Sequence, residues 1–238
     1  MQIALQQNGG WTMYLLHFAP DSAALIIRLV LEEAGLPYQT ARVDPGASAQ
    51  AAAAYRAVSP TGLIPALETP QGILFETGAI LMWLADRHGF GPGEAEPARI
   101  TLLKWLFFLS NTVHADLRQI FYPEQYVPLG AETGHHAILT KRLQRHFRLL
   151  DQAATDAPGP FAVGGILAAY VVCLMRWAVL YPKGQTPWFH LHDYPALGDI
   201  ARRIDARPST RRLILAEGLG PTPFSAPGDA QPPEGPAT

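Results

Sequence analysis

The sequence predicts an α/β module over residues 13–89 followed by an all-helical domain over residues 98–220. Three observations predict it. Strand-like and helix-like apolar patterns alternate as far as Gly89. The segment "GFGPGEAEPA", residues 89–98, then breaks every periodicity with glycine, proline and acid, and residues 90–97 serve as a linker. Beyond it each apolar pattern has the helical period. With 48% hydrophobic and 16% charged residues in 238, the chain can bury sizeable cores.

Taken in order, residues 1–12 precede the first pattern and are expected to be a disordered extension. "MYLLHF" predicts a strand buried on both faces. Residues 22–35 predict a helix closed by Gly35, with Pro37 just beyond. "YQTARV" alternates as a strand does, and the alanine-rich "SAQAAAAYRAV" predicts a helix halted before Ser59–Pro60. "PALET" and "GILFE" flank turn residues and predict a hairpin, and a helix over 77–88 completes the module. Helical patterns follow over 98–122, 132–156, 165–181, 196–206 and 209–217, the last with Ser209 as its predicted N-cap. The proline- and glycine-rich stretch from Pro221, residues 221–238, predicts a disordered tail.

Several functions are excluded at this level. A formal charge of −2 provides no basic field for nucleic acid. One cysteine, Cys173, rules out a disulfide framework and any paired-cysteine zinc or redox site, so neither metal nor protein dithiol is expected. The apolar run from Phe161 to Met175 ends at Arg176, short of the roughly 18–20 residues needed to span a bilayer. A buried helix is expected there, with no membrane partner. A reducing, cytoplasmic location is the default for such a chain.

"SPTGLIPALETPQGILFETGAILMWLADRHG", Ser59 to Gly89, resembles the long N-terminal motif of the soluble glutathione transferases. "WLFFLSNTVHADLRQIFYPEQYV" and "DYPALGDIARRIDARPSTRRLILAEGL" are similar to bacterial members, closest in pattern to the beta- and theta-like classes. The resemblance implies the glutathione transferase fold, an α/β thioredoxin-like N-terminal domain plus an all-α C-terminal domain. It also implies glutathione as co-substrate, a small apolar electrophile and a homodimer. A non-catalytic glutathione-binding or scaffold protein of the same fold is the alternative.

The implied glutathione-binding residues are Ile64, Pro65, Glu76 and Thr77. In the family the peptide bond before the proline equivalent to Pro65 is cis, and the preceding residue, here Ile64, pairs with the cysteinyl backbone of glutathione. Thr77 and the helix amides behind it would hold the γ-glutamyl carboxylate, and Glu76 the α-ammonium. Thr77 is also readable as a plain N-cap, and the two readings are compatible because the cap and the anion site share one place. Leu63 stands where many relatives carry a lysine or glutamine.

Catalysis requires the glutathione thiol, with an unperturbed pKa of about 8.5, to ionise near neutral pH. Aligned on Arg28 and Gly35, the family's tyrosine position falls on His17, its serine position on Asp21 and its cysteine position on Ala23. Ser22 is the remaining donor in the turn, either facing sulfur or capping the helix. Asp21 is expected to cap that helix, and His17 to be a packed core histidine. His114, in "NTVHADL", matches the beta-class histidine that faces the sulfur. Trp105, Phe108, Thr112 and Ala115 share one stripe of a continuous helix and are expected to line the electrophile pocket. The helix after "FAVGG" lacks the family's side-chain cap, with Gly165 and Ala168 at those positions, and Cys173 within it is expected to be an inert buried thiol.

Overall fold

A computed structural model of the chain describes residues 13–44 and 53–233. The first twelve residues, the predicted helix start before Ala53 and residues 234–238 lie outside these. Strands β1 (Tyr14–Phe18), β2 (Tyr38–Arg42), β3 (Ala66–Thr69) and β4 (Gly72–Phe75) form one sheet in the order β2-β1-β3-β4. β1 pairs parallel with β2, and β3 runs antiparallel to both β1 and β4. A parallel pair needs a crossover, here α1 (Ala24–Glu33), whereas Thr69–Gly72 closes a tight hairpin. The alanine-rich segment contributes the short α2 (Ala53–Arg56), and α3 (Thr77–His88) ends on Gly89 at φ 69°, a left-handed C-cap.

The helical domain consists of α4 (Ala98–Phe108), α5 (His114–Phe121), α6 (Glu132–Asp156), α7 (Ile166–Leu180), α8 (Pro195–Asp205) and α9 (Pro208–Glu217). Between α4 and α5, Leu109–Val113 is a π-helical turn. α7 is buried along almost its whole length, as the uninterrupted apolar run demands, and other helices of the domain pack around it. It starts at Gly165 without a side-chain cap. A Cβ at Gly165 would approach the Ala162 carbonyl oxygen to 3.0 Å, so a side chain there would press on the turn that leads into the helix.

α1 joins the two domains by packing on α7 and α9. Its acids form a seam with α9. Glu33 accepts from Arg207 at 2.7 Å and from the Ser209 hydroxyl, and Glu32 accepts from Arg212 at 2.5 Å. Ser209 therefore bridges domains rather than capping α9, whose N-cap is Arg207.

The stretch from Pro221 is anchored at Phe224 and at Gln231, contrary to the expected disorder. Phe224 is fully buried, its amide donates to Asp205 at 3.0 Å, and the Gln231 amide donates to the Gly218 carbonyl at 2.8 Å. Proline content lowers the entropy lost on ordering, so one buried aromatic and a few backbone bonds suffice.

Candidate active site

A cavity of about 600 Å³ lies where the turn after β1, the residues around Pro65 and the start of α3 face α5 and α7. Its N-terminal wall includes Ala19–Ala23, Leu63, Ile64, Pro65, Phe75, Glu76 and Thr77. Across it stand Ser110, His114, Ala115 and Arg118, with Phe121, Tyr170, Trp177 and Tyr181 behind.

The Ile64–Pro65 bond is cis. The approach to it is pinned at Leu63, whose carbonyl accepts from Tyr55 Oη at 2.8 Å and Ser59 Oγ at 3.0 Å. Glu76 has φ 70° and ψ 118°, a backbone state uncommon for a side chain with Cβ, and occupies the N-cap position of α3. Thr77 is buried as the first residue of α3. No side chain caps this helix, so Thr77 is not the N-cap, and the first-turn amides keep their donors directed at the cavity end.

The turn after β1 departs from expectation. Asp21 does not cap α1; it adopts φ 50° and turns its carboxylate into the helical domain. There Oδ1 accepts from Arg176 Nε at 2.8 Å and Trp177 Nε1 at 2.9 Å, while Oδ2 accepts from Arg176 Nη2 and Tyr181 Oη, both at 2.8 Å. The Asp21 amide donates to Glu217, which also pairs with Arg28 at 3.0 Å. Arg176 also donates from Nη1 to the Pro223 carbonyl and from Nη2 to the Gly228 carbonyl, each at 3.1 Å. A fully buried guanidinium attracts a carboxylate more strongly than a helix end attracts a cap, which accounts for the different choice.

Ser22 lines the cavity, but its hydroxyl donates to the Ala19 carbonyl at 2.6 Å and accepts from the Ala24 amide at 3.3 Å. α1 begins two residues later, at Ala24. His114 Nδ1 lies 2.9 Å from Tyr170 Oη. Burial, with a smaller contribution from Arg118, pushes the His114 pKa down to about 4, so its imidazole is neutral at pH 7. Burial and the nearby Glu76 charge raise Tyr170, which stays a phenol. Burial, with a smaller contribution from Asp21, likewise raises Cys173 well above its ordinary value, leaving a buried thiol. His17 lies on β1 with Nε2 2.8 Å from Glu68 Oε1, its ring tilted against Tyr55.

Of the stripe expected to line the electrophile pocket, only Ala115 reaches the cavity. Trp105 and Phe108 pack against one another and against Phe161 and His146, and Thr112 also lies outside the cavity lining. The stripe assumed a continuous α-helix. The π-turn at Leu109–Val113 widens one turn and changes the phase between α4 and α5. Counting instead from His114 at helical spacing finds Arg118, Phe121 and Tyr122, all of which line the cavity. Tyr170, Trp177 and Tyr181 were hidden in an apolar run, where only their spacing of seven and four around Arg176 gave a signal.

A thioredoxin-like sheet domain joined to an all-helical domain, with a cavity between them, defines the class. Residues 11–86 match the family model of the glutathione S-transferase N-terminal domain. The disulfide-bond oxidoreductase YfcG of Escherichia coli K12 is 29% identical over 218 residues, covering 86% of this chain and 96% of its own. Glutathione S-transferase GstA of Escherichia coli O157:H7 is 26% identical, covering 86% and 98%. A solved sphingomonad glutathione S-transferase complexed with glutathione superposes with a TM-score of 0.70 at 25% identity, covering 87% and 100%. By these matches the chain is similar to the glutathione S-transferases, through the family's N-terminal domain over residues 11–86 and through bacterial relatives over 86% of its length.

Proposed function

We propose that this protein is a glutathione transferase whose thiol-activating groups are His114 and the turn at Ala19–Ala23. The observation that carries this reading is the single cavity bounded by the cis Ile64–Pro65 corner, the uncapped start of α3 and His114. Glutathione lies along the N-terminal wall. Its γ-glutamyl carboxylate meets the α3 amides and Thr77, its α-ammonium meets Glu76, and its cysteinyl backbone pairs with Ile64. This directs the sulfur toward Ser22 and His114. Tyr170, kept a phenol by burial, donates to His114 Nδ1; the ring proton then sits on Nε2 as a donor for the thiolate. Because the Ser22 proton already serves Ala19, backbone amides at the start of α1 assist in its place. The thiolate attacks an electrophile held between α5 and α7, and positioning supplies the remaining rate gain.

The protein acts in the cytoplasm as a homodimer. A sequence with one cysteine, and that one buried, suits a reducing compartment, and none of the described helices is long and apolar enough to cross a membrane. Exposed Ile73, Phe75, Ile100 and Phe107 supply apolar surface that a partner subunit would cover. Among the described residues no group of three or more His, Cys, Asp or Glu could hold a metal.

Titrating the thiolate absorbance of bound glutathione against pH tests the proposal. A thiol pKa well below that of free glutathione is expected. Binding with an unshifted thiol would instead identify a non-catalytic glutathione-binding or scaffold protein.

A further inference from the structure

Arg118 is the only lysine or arginine that lines the cavity among the described residues. It lies one helical turn beyond His114 on α5, on the wall opposite Ile64 and Thr77. Its contacts fix the guanidinium without neutralising it. Nε donates to Tyr126 Oη at 3.1 Å, Nη2 donates to Gln125 Oε1 at 3.0 Å, and Cζ sits 5.1 Å from the centre of the Tyr122 ring. All three partners are uncharged, and no acidic side chain among the described residues pairs with it. Nη1 has no hydrogen-bond partner among them. The other charges on the cavity wall are otherwise engaged. Asp21 is bound to Arg176, and Glu76 lies at the α3 end, where the proposed function assigns it to the glutathione ammonium.

A guanidinium that is held in place, half-buried, flanked by Phe121 and Tyr122 and short of a counter-charge is built to receive an anion on a flat apolar body. Planar carboxylate oxygens match its fork of donors. We infer that Arg118 selects the second substrate, so that this cavity takes aromatic or unsaturated electrophiles bearing a carboxylate. The apolar electrophile expected from sequence is thereby refined to an apolar body with one acidic group. The inference rests on the glutathione-binding reading, because it assigns Arg118 to the half of the cavity that glutathione leaves open.

Two glutathione conjugates test it, S-(para-carboxybenzyl)glutathione and its neutral near-isostere S-(para-carbamoylbenzyl)glutathione. Their dissociation constants, together with that of glutathione alone, are measured by calorimetry on the full chain, on Arg118→Gln and on Arg118→Lys. The natural chain is expected to prefer the carboxylate conjugate by roughly tenfold, the lower end for a charged hydrogen bond at a half-buried site. Arg118→Gln should erase that preference and Arg118→Lys should retain part of it. The preference is a ratio within one protein, so a general loss of folded material does not mimic the effect. Equal binding of the two conjugates, or a preference that survives in Arg118→Gln, overturns the inference. So does a loss of affinity for glutathione alone as large as the loss for the carboxylate conjugate, which would assign Arg118 to the glycyl carboxylate of the peptide. A natural chain that binds neither glutathione nor either conjugate instead refutes the proposed function itself.

Discussion

Replacing Asp21 with asparagine should be among the most destabilising single changes available to this chain. The substitution keeps the shape, and asparagine tolerates the left-handed backbone at φ 50°, so the charge is what is removed. Four donors converge on the carboxylate, two from Arg176 and one each from Trp177 and Tyr181. An amide can accept on one side only, so its NH₂ would confront two of those donors while Arg176 remains buried without a counter-charge. Breaking a buried pair in this way costs about 3–5 kcal/mol. For a chain of this length that corresponds to a fall in Tm of roughly 6–20 °C, taking about 2–4 °C for each kcal/mol. Urea unfolding of the single variant, and of the double variant Asp21→Asn with Arg176→Met, measures it. The double variant should recover much of the loss, because a neutral pair no longer strands a charge. A single variant within about 1 kcal/mol of the natural chain, or a double variant no better than the single, would refute the reasoning.

Three further outcomes are expected. His114 is held neutral down to about pH 4 in the folded chain but titrates at 6.5 when unfolded, so the unfolded state binds the extra proton between those values. Stability should therefore fall as pH drops from about 6.5 to 4 by up to about 3 kcal/mol, less for the part of the ring that the cavity keeps wet. Urea titrations of His114→Gln should lack that component, and identical pH slopes would count against it. Thr77→Val, which exchanges the hydroxyl for a methyl of similar size, should raise the KM for glutathione roughly tenfold while Thr77→Ser stays near the natural value; equal KM values for all three chains would remove Thr77 from the binding site. Gly218→Ala forces a Cβ to within 2.0 Å of the Gln231 carbonyl oxygen at φ 64°, so limited proteolysis should cut residues 221–233 faster than in the natural chain. An unchanged digestion pattern would mean the tail is held elsewhere.

The order of elements was legible because local signals and tertiary packing agree in this chain. Gly35, Gly89 and Gly218 each stop a helix at a left-handed residue, and the apolar run of α7 could only be buried. The N-terminal wall of the cavity was legible for a related reason. Ile64, Pro65, Glu76 and Thr77 lie within one short stretch, so local order brings them to one wall. The facing wall was harder to read because it depends on helix phase, and five residues in a π-turn suffice to redirect it. Asp21 was misread for another reason. Its partner lies 155 residues away, and an aspartate before a helix is usually its cap. Proline and glycine in the tail mimic the composition of disorder, while one phenylalanine decides its packing.

The buried guanidinium of Arg176 has a consequence for how the molecule comes into being. It ties the turn after the first strand to carbonyls of Pro223 and Gly228, which lie beyond α9 in the chain. During synthesis the N-terminal sheet can pair as soon as Phe75 has emerged, since its strands span only residues 14–75. Asp21, by contrast, waits for its counter-charge until α7 is made, and that charge is fully coordinated only when the tail has been added. A nascent chain can therefore hold the sheet wall of the cavity before the turn at Asp21 is set.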